Sequence, residues 1–136
     1  MSDSRPDGAS AGMSEAWTQL ADRGSSIFAI RDNPVPEGAG VRDVPACLDK
    51  HSDDFLACAT PRSSALPPDP VSEAMLKTPG ATLLDLTECF YTRDVCPAVI
   101  GGAVVYRDGH HLAQTYALSL TDKIAAALVE ASTPAG

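Results

Sequence analysis

Tyr106-Arg107-Asp108-Gly109-His110-His111-Leu112 closes one apolar run, Ala103-Val104-Val105, and opens another with a different period. The first run reads as extended chain after a Gly101-Gly102 bend, in a third extended piece from Val99 to Val105. The second places Leu112, Tyr116, Leu120, Ile124 and Leu128 at steps of four. That spacing predicts a helix from about His110 to Ala131 with the stripe as its packed face. Between the two, a carboxylate stands three residues ahead of an imidazole. At such a junction both side chains can be presented at the lip of a sheet.

The same alternation recurs upstream. Met13 to Arg23 has helical spacing and Gly24 behind it as a stop. Ser26 to Ile30 follows as a short strand with little alternation, the mark of burial on both faces. Asn33 to Val44 reads as a loop, and Val44 to Lys50 as one or two helical turns entered through Pro45. Pro61 to Pro70 is a proline-rich connector, within which Arg62 reads as a solvated charge. Asp69 caps a helix from about Pro70 to Lys77, with proline at its first position. Ala81 to Leu86 reads as a second strand. Strands alternating with helices indicate an α/β fold with a short parallel sheet.

An Asp-x-x-His step is suited to proton transfer. The carboxylate fixes the imidazole's tautomer and stabilises its charged form, while the imidazole serves as base toward a hydroxyl. The plainer alternative is that Asp108 caps a helix, with His110 and His111 exposed in its first turn. Gly8-Ala9-Ser10-Ala11-Gly12 has the letters of a nucleophile elbow, but no strand precedes it, and the elbow needs one. Asp32, at a strand end, reads as a turn carboxylate pairing with Arg31 or Arg42. His51 is expected at the solvent-exposed surface, and Arg107 either binds an anionic glycan or neutralises Asp108.

In order along the chain, Ile30-Arg31-Asp32-Asn33-Pro34, Cys47, Cys58, Asp85-Leu86-Thr87, Cys89 and Cys96-Pro97-Ala98-Val99-Ile100-Gly101 lead to Tyr106-Arg107-Asp108, His111-Leu112 and Tyr116-Ala117. This series, over roughly residues 13 to 130, resembles the C-terminal part of the SGNH domain of acyltransferase-3 family membrane proteins. Those proteins O-acetylate cell-surface polysaccharides such as peptidoglycan and lipopolysaccharide. The resemblance implies a partial three-layer α/β/α sandwich, with Asp108 and His111 as two members of a Ser-His-Asp triad. It also implies an N-terminal portion missing from the chain. No Gly-Asp-Ser segment occurs, and the single asparagine, Asn33, lies in a turn.

Residues 1–12 are therefore expected as a disordered leader, 13–131 as the C-terminal portion of the domain, and 132–136 as a disordered tail. Alone, such a chain is expected to be inactive. Its partners would be an acyl donor and a carbohydrate, and an upstream chain bearing the missing segment. The alternatives are a non-catalytic carbohydrate-binding or interaction remnant, one half of a split acyltransferase, and a truncated reading frame. The resemblance implies the extracytoplasmic side of a membrane. The sequence itself has no signal peptide and no apolar run long enough to span, which reads as cytoplasmic if the chain is expressed alone.

The 136 residues carry a net charge of −8, which argues against a nucleic-acid partner. Eleven prolines and ten glycines leave few long regular elements. Of the three connectivities open to four cysteines, sequential pairing is the most economical: Cys47 with Cys58, and Cys89 with Cys96. Neither spacing suits zinc, free buried thiols are the competing state if the chain stays in the cytosol, and no cofactor or metal is expected.

Overall fold

The computed structural model describes residues 6–66 and 68–132. They form two compact units, one of residues 6–32, 68–85 and 124–132, the other of residues 33–66 and 86–123.

In the first unit, helix α1 (Pro6–Asp22) packs on helix α4 (Pro70–Lys77). α1 begins ahead of the expected Met13, so the described part of the expected leader is helical. Its Ser10 is fully buried, and Lys77 Nζ donates to the Ser10 hydroxyl at 3.0 Å. Ser14 and Thr78 join the same two helices through their hydroxyls at 2.9 Å. α4 forms where the sequence places it, because Asp69 accepts from the amides of Val71 and Ser72, and proline stands at the helix entry.

Strands β1 (Phe28–Ile30) and β3 (Thr82–Leu84) pair in parallel, Ala29 opposite Leu83. Only Ala29 of β1 is buried, and Ile30 is exposed. The expected burial on both faces is therefore not realised in this two-stranded sheet. Arg31 pairs with Asp85 at 3.1 Å across the strand ends. That is a different carboxylate from the Asp32 expected for it. Helix α6 (Thr121–Ser132) supplies Ile124–Ser132 to this unit.

In the second unit, helix α2 (Val44–Lys50) is capped by Asp43, which accepts from Ala46 N at 3.0 Å. The Cys47–Cys58 disulfide ties α2 to a 3-10 turn at Phe55–Cys58. Strands β2 (Thr60–Pro61) and β4 (Val95–Cys96) pair antiparallel, and a short helix α3 (Arg62–Ala65) follows β2. Arg62 is exposed, as expected of a solvated charge, and also lies over the Tyr91 ring, 3.9 Å from guanidinium carbon to ring centroid.

The expected third extended piece is a hairpin of β5 (Val99–Ile100) and β6 (Ala103–Val104). Gly101 and Gly102 form its two-residue turn with φ of 58° and 79°, left-handed values that suit glycine at both positions. Val44, Leu48, Phe90, Val105, Tyr106, Tyr116 and Leu120 build the core of this unit.

The second expected disulfide does not form. Cys96 is buried in β4, opposite Thr60, and Cys89 lies in a separate 3-10 turn at Thr87–Cys89; both are free thiols. The expected final helix is also interrupted. Helix α5 (Gln114–Ser119) ends at Leu120 before α6 begins. Tyr116 and Leu120 of the predicted stripe are buried, whereas Leu128 is exposed and α6 buries no residue. Mixed helices and short sheets confirm the α/β class. Among the described residues, no helix is long and apolar enough to cross a membrane.

Candidate active site

Asp108 and His111 lie in a tight reversal, where the sequence pattern predicted the first turn of a helix. Tyr106 bridges Leu112 in antiparallel fashion, and Arg107 N donates to His111 O at 3.0 Å. Inside the reversal, Asp108 Oδ1 accepts from the amides of His110 at 2.8 Å and His111 at 2.7 Å. These bonds satisfy the very amides that would have begun a helix. No helix follows, because the carbonyls that would accept its first bonds are taken by other segments, Asp108 O by Val44 N, Gly109 O by Glu37 N and His110 O by Asn33 Nδ2, and α5 starts only at Gln114.

The other carboxylate oxygen, Asp108 Oδ2, lies 2.7 Å from His111 Nδ1. The two amides, and then the imidazole, hold the Asp108 carboxyl well below the usual carboxylate range. It is thus ionised and can only accept, so His111 Nδ1 carries the hydrogen of this bond. In neutral His111 the lone pair is then on Nε2. His111 is half exposed, so that atom can be approached. Arg107 Nε reaches Asp108 Oδ2 only at 3.9 Å and is largely exposed.

The reversal is clamped from behind. Gly109 O accepts from Glu37 N at 2.8 Å, and Asn33 Nδ2 donates to His110 O at 3.3 Å. Val44 N reaches Asp108 O at 3.4 Å. A Cβ on Gly109 would stand 2.6 Å from Arg42 O, so only glycine allows the two backbones to approach so closely. Tyr106, at the foot of the reversal, is 1% exposed, and burial pushes its phenol far up. It remains neutral and serves as packing.

His110 lies beside the pair, its Nδ1 3.6 Å from Asp108 Oδ1. Its ring lies against that of His111, centroids 4.0 Å apart, and its Nδ1 is 3.4 Å from Glu37 Oε2. Glu37 carries no local sequence signal, because its place beside His110 arises only when the Pro36–Ala39 turn folds against the reversal. Asp108, His110 and His111 offer three ligand atoms within 4.8 Å of one another. Both Asp108 oxygens are already engaged by the two amides and the imidazole, which suits the set to proton handling rather than to metal capture. His51 is exposed at the C-terminal end of α2, as expected.

A family model described as the SGNH domain fused to AT3 domains matches residues 2–126. No curated protein and no solved structure matches the chain.

Proposed function

The chain belongs to the SGNH domains found fused to AT3 domains, and from that premise we propose an acyl-transfer or ester-cleaving role on cell-surface carbohydrate. The observation that carries this reading is the 2.7 Å contact between Asp108 Oδ2 and His111 Nδ1 in an open reversal. A nucleophilic hydroxyl gives its proton to His111 Nε2 as its oxygen attacks the acyl carbonyl. Asp108 stabilises the imidazolium that results. When the tetrahedral intermediate collapses, the same proton passes to the departing alcohol. A second alcohol or water then takes the acyl group by the reverse sequence.

Among the described residues, none of the serines in the unit that holds the pair (Ser52, Ser63, Ser64 and Ser119) hydrogen-bonds His111. We therefore place the nucleophile and its oxyanion donors on a segment outside this unit. In this reading β1 and β3 belong to the parallel sheet of a three-layer sandwich, and the working site lies on the extracytoplasmic side of a membrane. Ser10 does not resemble a nucleophile elbow: it is buried within α1 and engaged by Lys77.

The test is hydrolysis of an acetylated oligosaccharide by the chain alone and with a co-expressed SGNH segment carrying Gly-Asp-Ser. Turnover is expected near background alone. Complementation should restore it, and Asp108→Asn should then lower it about 10³–10⁴-fold. Activity of the chain alone that Ser10→Ala abolishes, or complemented activity indifferent to His111→Ala, overturns the proposal.

A further inference from the structure

We propose that the cavity beside α2 is a subsite for an anionic group, a carboxylate or phosphate, carried on the glycan. The cavity measures about 290 Å³ and is lined by Gly40, Val41, Arg42, Asp43, Ala46, Cys47, Lys50 and His51. That volume suits one or two sugar rings better than a polymer or a protein segment. In a chain of net charge −8, a concavity lined by Arg42, Lys50 and His51 is unusual. Its single carboxylate, Asp43, already accepts the Ala46 amide as the helix cap. The acidic residues nearest in sequence, Asp49, Asp53 and Asp54, do not line it.

Arg42, Lys50 and His51 form no ion pair and no side-chain hydrogen bond among the described residues. Elsewhere in the structure, Arg31 is paired with Asp85 and Arg62 covers Tyr91. The cations around the cavity are thus left to meet a ligand. A guanidinium fork matches a carboxylate or phosphate with two parallel bonds, and an ammonium adds a point charge.

The cavity wall is continuous with the candidate active site. Arg42 O abuts Gly109 closely enough to exclude a Cβ, and Val44 N reaches Asp108 O at 3.4 Å. An anionic substituent anchored at Arg42 and Lys50 would therefore hold its sugar next to the reversal that carries His111. The disulfide from Cys47 to Cys58 fixes the α2 side of the wall. That the anion is borne by a sugar rests on the acyl-transfer reading; the anion site itself does not.

Binding to the full chain is measured by calorimetry at low salt, with a galacturonate oligomer, its neutral galactose counterpart and mannose 6-phosphate as probes. The galacturonate oligomer should bind at least tenfold more tightly than the neutral one. Arg42→Ala with Lys50→Ala should remove that preference, and His111→Ala should leave it intact. Binding of mannose 6-phosphate with the same dependence on Arg42 and Lys50 extends the site to phosphate; its absence restricts the site to carboxylates. Equal binding of acidic and neutral oligomers, or an unchanged preference in the folded double variant, overturns the subsite. Because no turnover is read, failure here is separate from failure of the acid–base assignment.

Discussion

Replacing Gly109 with alanine should damage the clamp that holds the candidate pair. The new Cβ would meet Arg42 O at 2.6 Å, the Arg42 carbonyl carbon at 2.9 Å and Val41 O at 3.0 Å. All three are backbone atoms and cannot rotate aside. Against ordinary contact from 3.4 Å, the shortfall is about 0.8 Å. Parting the segments by that distance stretches the Glu37 N to Gly109 O bond at 2.8 Å and the longer Val44 N to Asp108 O contact. Each such bond contributes about 0.5–1.5 kcal/mol, and overpacking costs about 1–3 kcal/mol, so a loss of about 2–3 kcal/mol is expected.

Urea unfolding measures it, with Gly12→Ala as the control of opposite sign. Gly12 lies inside α1 with nothing within 4 Å of a Cβ, and alanine there should add about 0.5–1 kcal/mol. A Gly109→Ala protein within 0.5 kcal/mol of wild type, on the order of a surface substitution, would refute the clamp.

Three further outcomes follow from local geometry. Cys47→Ser with Cys58→Ser should lower unfolding stability by about 2.8 kcal/mol, because the disulfide closes a loop of sequence separation 11; equal urea midpoints for the variant and the disulfide-bonded wild type would contradict this. Asp69→Ala should cost about 1 kcal/mol, since the carboxylate caps α4 through the Val71 and Ser72 amides; circular dichroism under urea reads the loss. Asp108 has a depressed carboxyl pKa, so its contribution to the fold is complete above the unfolded aspartate value of about 3.9 and is lost only as pH falls through the lower folded value. Its carboxyl carbon resonance should stay flat from neutral pH to about pH 3, while ordinary aspartates titrate near 4. A midpoint near 4 for Asp108 would contradict the two amide bonds.

The elements read well from sequence are those whose determinants are local. α2 and α4 each have an aspartate cap and an early proline, and the Gly101-Gly102 turn supplies the two positive φ values its hairpin requires. The Asp-x-x-His spacing of Asp108 and His111 points to a pair only together with the family resemblance, and it predicts a helical turn where the structure has a tight reversal. Four-residue periodicity predicts a helix from His110, whereas non-local donors, Val44 N, Glu37 N and Asn33 Nδ2, take the Asp108, Gly109 and His110 carbonyls that such a helix would have used.

Non-local features escaped in the same way. The β2–β4 ladder depends on pairing distant two-residue strands, and Glu37 meets His110 only through folding. Leu128 belongs to the periodic stripe and is nonetheless exposed, since a period specifies a face without supplying the surface that covers it. The second cysteine pair failed because spacing counts residues, whereas Cys89 and Cys96 are committed to a turn and a strand.

The most direct test of the central claim is the tautomer of neutral His111, read by long-range proton–nitrogen correlation spectroscopy. Wild-type protein should show hydrogen on Nδ1 and the lone pair on Nε2, and Asp108→Ala should release the ring to a mixture dominated by the Nε2–H form. Hydrogen on Nε2 in the wild type, or a tautomer indifferent to the loss of Asp108, would contradict the assignment of these residues as an acid–base pair.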